Sequence, residues 1–178
     1  MNKKVLVISG SPREKGNSDQ LCEAFIEGAK EAGHAVEKIA VREKKIGFCL
    51  ACYACRESHQ CFQKDDMEKI LEKIVEADVL VMASPVYFYS IDAQMKALID
   101  RTLPRWLEIK NKKMYYIVTA AEDNAAIMER AVECFRGFAD CFQGMQERGV
   151  LYAHGVYEKE AVTKTDYLEK AKTMGREI

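Results

Sequence analysis

The stretch VLVISGSPREKGNS, residues 5–18, decides the fold because it joins a buried strand to a helix through a loop of small residues. Val5 to Ile8 is a short continuous apolar run, as expected of a parallel strand that is buried on both faces. A helix then begins near Asn17 or Ser18, either of which can cap it, and Gly33 ends it. Such a strand–loop–helix unit opens an α/β sheet, in which ligands bind beyond the carboxyl ends of the strands.

The same alternation of apolar runs and helical patterns continues along the chain. Further strands are predicted at 35–41, 79–83, 114–119 and 150–157, and further helices at 65–75, 93–101, 125–148 and 166–174. Parallel strands joined by right-handed crossovers place helices on both faces of one sheet. We therefore predict one α/β domain over residues 1–178, a flavodoxin-like three-layer sandwich with a five-stranded parallel sheet of order 2-1-3-4-5.

Composition narrows the class of protein. The 178 residues carry a formal net charge of −1, with a pI near 6.3, which argues against a nucleic acid or a membrane surface as the main partner. No apolar run approaches the roughly 20 residues that cross a bilayer. The first apolar run has about five residues, fewer than the 7–15 of a signal peptide. We expect a cytoplasmic protein whose seven cysteines are reduced.

The loop after the first strand has the character of a phosphate site. It is rich in hydroxyl and amide side chains and runs into a helix N-terminus, where backbone N–H groups and the helix dipole attract an anion. It matches neither GxxxxGK[ST] nor GxGxxG, and its hydroxyl groups suit a phosphate that is bound and not transferred. The alternative is a simple turn with a serine cap.

Two further loops follow strands of the same predicted sheet. Residues 84–90, SPVYFYS, place three aromatic side chains at a strand end, where a flat ring system is a natural occupant. Residues 119–124 add small side chains and backbone groups suited to the edge of a ring, and from these we select Thr119, Ala120 and Asp123. The aromatic side chains could instead pack on helices or on a second subunit, and 119–124 could be only a capped loop. A phosphate site and an aromatic surface together favour FMN.

Four of the seven cysteines lie in the stretch FCLACYACRESHQCF, residues 48–62. Cys49, Cys52, Cys55 and Cys61 have the spacing C-x2-C-x2-C-x5-C, which lets one loop wrap three thiolates around a cluster while the fourth closes it. With no second set of cysteines, we favour a single [4Fe–4S] cluster that uses all four. Structural zinc, with His59 as a possible ligand, a redox-active thiol pair and a loop without metal remain alternatives.

Three segments carry a resemblance to a known family: GSPREKGNSDQL at 10–21, SPVYFYSIDAQMKALIDR at 84–101, and the cysteine stretch followed by KDDM. The chain resembles the iron–sulfur flavoproteins among the flavodoxin-like NAD(P)H:FMN oxidoreductases, with specific motifs from Val5 to about Arg101. Many relatives carry Gly where this chain has Tyr89. The resemblance implies that the FMN phosphate is held by Ser9, Ser11, Arg13, Asn17 and Ser18. It implies that the flavin ring is held by Pro85, Val86, Tyr87 and Phe88.

We therefore expect an oxidoreductase that passes electrons through FMN and a [4Fe–4S] cluster, and we nominate no general acid or base. Electrons would arrive from NAD(P)H or a reduced ferredoxin and leave to a small acceptor such as a quinone or an oxygen species. The resemblance implies a dimer or tetramer in which the cluster of one subunit approaches the flavin of another. Alternatives are an NAD(P)H-dependent FMN or quinone reductase with an empty or zinc-bound cysteine loop, a non-catalytic zinc-binding module, and a redox sensor.

The remaining candidate ligands are assigned to structural positions. Cys22, Cys134 and Cys141 are predicted to be small core residues on helices. His34 and His154 have no partner at a ligand spacing along the sequence.

Overall fold

The computed structural model describes residues 2–178 and contains one parallel sheet. Its strands are β1 (Lys4–Ser9), β2 (Ala35–Ala40), β3 (Val79–Pro85), β4 (Lys113–Thr119) and β5 (Gln146–Ala153). Their order is β2-β1-β3-β4-β5, and every neighbouring pair is parallel. The predicted fold class and strand order are therefore confirmed.

Helices cover both faces of the sheet. They are α1 (Asn17–Glu31), α3 (Met67–Glu76), α4 (Ala93–Asp100), α5 (Glu129–Asp140) and α6 (Tyr167–Arg176), while α2 (Cys55–Ser58) is a single turn in the cysteine stretch with no buried residue. Because successive side chains of a strand point to opposite faces, Leu6 and Ile8 pack in the core of α3, α4 and α5. Val5 and Val7 pack in the core of α1 and α6. Within residues 2–178, none of these helices has the length and apolar character to cross a membrane.

The helix predicted over 125–148 is wrong in its second half. A short 3₁₀ helix, Ala125–Met128, leads into α5, which ends at Asp140, and β5 begins at Gln146. The turn between them contains Gly144 at φ +72°, where a Cβ would lie 2.0 Å from the side-chain oxygen of Asn111. The backbone of Asn111 also donates to the Gln143 carbonyl at 2.8 Å. These contacts outweigh the helical propensity of residues 145–148, MQER, and pair that segment with β4.

The strand predicted over 150–157 is β5, which begins four residues earlier and ends at Ala153. Residues 154–160 consequently form a loop at the carboxyl edge of the sheet, an element that the sequence pattern did not predict.

The three cysteines outside the cysteine loop differ in burial. Cys22 is fully buried on α1, as predicted, and burial raises the pKa of its thiol to about 12. Cys134 is half-buried and Cys141 is exposed, so the prediction of a core position is wrong for Cys141. α5 is amphipathic, and Cys141 follows its last turn on the solvent side.

Candidate functional site

Three loops with predicted ligand-binding residues meet at the carboxyl edge of the sheet. The backbone N–H of Gly10, just after β1, donates to the carbonyl of Ala83 in β3 at 2.8 Å. The N–H of Val86 donates to the Thr119 carbonyl at 2.8 Å, and the hydroxyl groups of Ser18 and Thr119 are 2.8 Å apart. These hydrogen bonds join the loop after β1, the loop after β3 and the end of β4 into one surface.

The N-terminus of α1 lies at this surface, and its cap differs from the predicted one. The N-cap residue is Gly16, and no side chain of the described residues caps the helix. Asn17 instead donates to the carbonyls of Val156 and Glu158, at 3.2 and 2.9 Å, while Ser18 contacts Thr119. The first N–H groups of α1 therefore have no side-chain acceptor and, with the helix dipole, form an anion-binding position.

The other predicted phosphate ligands lie at different depths. Ser9 is fully buried and its hydroxyl faces Asp19 at 3.4 Å. Ser11 accepts the backbone N–H of Arg13 at 3.3 Å, and the exposed Arg13 guanidinium donates to the Tyr157 carbonyl at 3.3 Å. Ser11 and Arg13 therefore lie in the loop that leads to the helix N-terminus, whereas Ser9 supports the loop from below.

Asp19 holds this loop in place from within α1. Its carboxylate is 2.6 Å from Lys38 and 3.3 Å from Arg42, and it accepts the backbone N–H of Lys15 at 3.0 Å. Burial pushes the pKa of Asp19 upward, but the hydrogen bonds from Lys38 and Lys15 and both cations outweigh it, so the pKa is lowered. The ionised carboxylate is thus the form that the fold stabilises.

We expect the Asp19→Asn variant to lose about 2 kcal/mol of unfolding free energy at pH 7, because it removes the buried charge that Lys38 and Arg42 share and leaves each of them only an exposed partner, Glu23 or Glu43. A lowered folded-state pKa gives stability that is present above the unfolded pKa, about 3.9, and is lost as the pH falls through the folded value. The deficit relative to wild type should therefore shrink below pH 4. Urea unfolding at pH 7 and pH 3 measures it, and an equal deficit at both values would contradict the ion-pair explanation.

The aromatic loop, residues 84–90 at the end of β3, contains a strained hairpin turn. Tyr87 and Ser90 exchange backbone hydrogen bonds of 2.9 and 3.0 Å, and Phe88 and Tyr89 between them have φ of +49° and +62°. Two positive φ values define a type I′ turn, for which Asn-Gly is strongly preferred. Bulky residues in this region cost on the order of 1–3 kcal/mol each. The turn projects Phe88 fully into solvent, and glycine at the position of Tyr89 would relieve the strain of its positive φ.

A buried carboxylate supports the aromatic loop, and the sequence patterns did not identify it. Asp92 is fully buried, accepts the Ser84 hydroxyl at 2.6 Å and caps α4 through the Met95 N–H at 2.9 Å. Burial raises its pKa, although these hydrogen bonds oppose the shift. A Cβ on Gly10 would lie 2.3 Å from this carboxylate, so glycine allows the first loop to approach it. An Asp directly before the first residue of a helix is a capping signal, and Asp92 stands directly before Ala93.

The loop after β4 meets the loop after β5. Thr119 and Ala120 are buried, and the Ala120 N–H donates to the Ala153 carbonyl at 3.0 Å. Asp123 is exposed, and its carboxylate lies 2.7 Å from Nδ1 of His154. Asp123 thus has a protein partner that the sequence pattern had not revealed.

The cysteine loop brings its four cysteines to one place. Cys49, Cys52, Cys55 and Cys61 all line one small cavity, together with Arg101 after α4. Cys49 and Cys52 are exposed, whereas Cys55 and Cys61 are half-buried. Burial, followed by the proximity of the other three thiols, raises the pKa of Cys55, although a backbone hydrogen bond opposes the shift.

The backbone between the cysteines is left-handed at three residues that are not glycine. Ala51, Tyr53 and His59 have φ of +51°, +58° and +54°. Left-handed residues next to right-handed ones turn successive N–H groups toward one concave side, an arrangement found at phosphate and iron–sulfur sites. The loop therefore has the thiol ligands and the backbone geometry that suit an anionic cluster.

A single metal ion and a cluster place different demands on these residues. Within residues 2–178, no group of three or more His, Cys, Asp or Glu side chains is arranged to hold one metal ion. Zinc needs four ligands that converge at about 2.0–2.3 Å from one centre. A [4Fe–4S] cluster binds each thiolate through a different iron atom, so its ligands stand farther apart. All four thiols line one cavity, as the ligands of one shared cluster would.

Comparisons with known proteins identify a matching family and several similar proteins. The family described as NADPH-dependent FMN reductase matches residues 3–146. An iron–sulfur flavoprotein of Archaeoglobus fulgidus is 40% identical over 101 residues, which cover 57% of this chain and 46% of that protein. An iron–sulfur flavoprotein of Methanocaldococcus jannaschii is 37% identical over 123 residues, which cover 68% and 64%. The chain thus spans about half to two thirds of the length of these curated relatives.

A solved structure shows the same fold over nearly the whole chain. The NAD(P)H:quinone oxidoreductase from Methanothermobacter marburgensis superposes with a TM-score of 0.73 at 20% identity, covering 99% of this chain and 96% of that one.

Proposed function

Because the chain belongs to the NADPH-dependent FMN reductase family, we propose that it is an oxidoreductase that passes electrons through FMN and a [4Fe–4S] cluster. The observation that carries the proposal is the single cavity lined by all four cysteines of the C-x2-C-x2-C-x5-C motif. FMN exchanges one or two electrons and a [4Fe–4S] cluster exchanges one at a time, so together they link two-electron and one-electron donors and acceptors.

FMN would bind across the carboxyl edge of the sheet. The phosphate would be held by the free N–H groups at the start of α1, with Ser11 and Arg13 beside them. The exposed rings of the hairpin turn and the backbone of Val86 and Ala120 would hold the flavin. Ser9, Asn17, Ser18 and Thr119 would act one layer below, because their side chains already bond to protein groups.

The cluster would be bound by the thiolates of Cys49, Cys52, Cys55 and Cys61, and the chain would hold them through the left-handed turns between them. NAD(P)H or a reduced ferredoxin would supply electrons, and a small acceptor such as a quinone would take them. The names of two similar proteins, iron–sulfur flavoprotein and FMN-dependent NADH:quinone oxidoreductase, support the cluster, FMN, NADH and a quinone acceptor.

We also propose that the chain assembles with itself as a dimer or tetramer. The cysteine loop packs on the C-terminal end of α4, and the aromatic loop directly precedes its N-terminal end. The two ends of this eight-residue helix are about 12 Å apart. Phe48, Leu50 and Phe62 on the cysteine loop are more than half exposed, as is Phe88. A neighbouring subunit would cover these side chains and shorten the path between the two cofactors. Light scattering coupled to gel filtration should give at least twice the chain mass of 20.2 kDa, and a monomer would contradict the proposal.

A second candidate is an NAD(P)H-dependent FMN or quinone reductase whose cysteine loop holds no cluster. It is favoured by a relative from Bacillus subtilis named as a putative NAD(P)H-dependent FMN-containing oxidoreductase, which is 26% identical over 85% of both chains. Its flavin site would be the one described above, and only the cysteine loop would differ in role.

The experiment that separates these candidates is analysis of the anaerobically purified protein for iron, acid-labile sulfide and flavin. The first proposal predicts one FMN and about four iron and four sulfide per chain, with a broad brown absorbance under the flavin bands. One FMN without iron or sulfide, also after reconstitution with both, would favour the second candidate. A protein that binds neither FMN nor iron would exclude both.

A further inference from the structure

The two ends of the cysteine loop are tied to a buried arginine. Nη1 of Arg101 donates to the Gly47 carbonyl at 2.8 Å and to Asp65 at 2.8 Å, and Nη2 donates to Asp65 at 3.0 Å. The Asp65 carboxylate in turn accepts the backbone N–H of Gly47 at 2.9 Å. Gly47 lies just before the first cysteine and Asp65 just after the last one. Arg101 and Asp65 therefore close the loop at its base.

The arginine also faces the thiols directly. Its side chain is only 1% exposed, it lines the same cavity as the four cysteines, and its Nε is buried without a hydrogen-bond partner among residues 2–178. Asp65 does not line that cavity and is 14% exposed. The positive end of this ion pair is therefore the end nearer to the thiols. A buried N–H donor without an acceptor is costly, and a negatively charged group in the cavity would supply that acceptor.

From this geometry we propose that Arg101 and Asp65 are positioning residues that hold the four cysteines at the spacing of the cluster and tune its reduction potential. The inference rests on the proposed function. Reduction adds one negative charge to the cluster, so a nearby cation stabilises the reduced form and a nearby anion stabilises the oxidised form. Arg101 consequently raises the reduction potential and Asp65 lowers it. Both residues, however, hold the loop in the same conformation.

The test uses Arg101→Gln, Asp65→Asn and Arg101→Lys in the full chain. Arg136→Gln is the matched control, because Arg136 is another ion-paired arginine, bonded to Glu147 at 2.8 Å, and lines neither of the cavities that contain cysteines of the loop. The readouts are iron per chain, FMN per chain and the cluster potential from an anaerobic titration followed by electron paramagnetic resonance. FMN content reports on the fold of the rest of the domain.

We expect the potential to fall in Arg101→Gln and to rise in Asp65→Asn, each by about tenfold in the reduction equilibrium constant, which is 59 mV for one electron. Arg101→Lys keeps the charge and should shift the potential less than Arg101→Gln. The control should match wild type. Equal potentials in all variants, or shifts of the same sign in Arg101→Gln and Asp65→Asn, would overturn the tuning role.

The contacts by which Arg101 and Asp65 hold the two ends of the cysteine loop form a clamp. A measurement on metal-free protein tests this clamp even when a variant does not assemble the cluster. Hydrogen exchange of residues 48–62 should be at least tenfold faster in Arg101→Gln and in Asp65→Asn than in wild type or in Arg136→Gln. Unchanged exchange would overturn the clamp. A wild-type chain that binds no iron would instead refute the proposed function, and the exchange result would still decide whether the clamp exists.

Discussion

The Cys52→Ser variant is expected to lose the brown cluster absorbance and most of its iron while it keeps one FMN per chain. Cys52 is the middle cysteine of the two x2 gaps, flanked by Ala51 and Tyr53 in left-handed conformations. These turns position its thiol at the shared cavity. A serine hydroxyl is close in size to the thiol, so the loop should fold as before. The serine hydroxyl is, however, a hard ligand that stays protonated at neutral pH, whereas iron–sulfur clusters select soft thiolates.

FMN should remain because the cysteine loop and the carboxyl-edge loops depend on different contacts. The loop is closed by Arg101 and Asp65, whereas the flavin surface is joined by Gly10, Ser18 and Thr119. Iron should fall from about four atoms to fewer than about one per chain. The measurement is metal and sulfide analysis with an anaerobic visible spectrum.

Cys141→Ser provides the control, because Cys141 is an exposed thiol outside the loop. It should keep the iron content and spectrum of wild type. A Cys52→Ser protein with unchanged iron would show that Cys52 is not a ligand. Loss of iron in both variants would point instead to general damage by handling or oxidation.

The central part of the fold could be predicted from the sequence because its signals are local. The β1 run is apolar at every position, which only a strand buried on both faces explains, and all four of its residues are buried. Gly33, at φ +83°, follows the C-cap of α1 as expected. The three aromatic residues at 87–89 are exposed, as the need for a flat ligand implied.

The parts that were missed depend on contacts between distant segments. Asn17 had the local chemistry of a helix cap, but its amide bonds to carbonyls of the loop after β5, about 140 positions away in the sequence. The Asp123–His154 pair likewise joins two separate loops. The end of α5 is set by the packing of Gly144 against Asn111. No pattern within one segment contains these partners, so local propensity could not find them.

The missed contacts also change the role of the predicted phosphate ligands. When Asn17 and Ser18 turn away from the helix end, the N–H groups of α1 become free to bind an anion. A wrong prediction of capping therefore strengthens the proposal of a phosphate site. In the proposed site the phosphate would be bound mainly by backbone groups, with Ser11 and Arg13 as nearby side chains.

The second large effect is expected from Ser11→Asp, which should weaken FMN binding by about 100-fold. Ser11 lies within the phosphate loop, and its hydroxyl lies 3.4 Å from the position of a Cβ on Gly16, the N-cap of α1. A carboxylate there would occupy the anion-binding position and repel the phosphate. At an effective dielectric constant of 20, two unit charges 4 Å apart repel by about 4 kcal/mol, and salt reduces this toward the 2.7 kcal/mol of a 100-fold change.

Riboflavin, which lacks the phosphate, separates charge repulsion from damage to the fold. Its affinity should be the same in wild type and Ser11→Asp, because the ring site around Val86 and Ala120 is unchanged. Ser11→Ala, which adds no charge, should weaken FMN by less than about fivefold, the worth of roughly one hydrogen bond. Quenching of flavin fluorescence measures the affinities of FMN and riboflavin for wild type and for both variants. If Ser11→Asp weakened FMN and riboflavin equally, the carboxylate would be distorting the ring site. If it left FMN affinity unchanged, the phosphate would have to bind away from the start of α1.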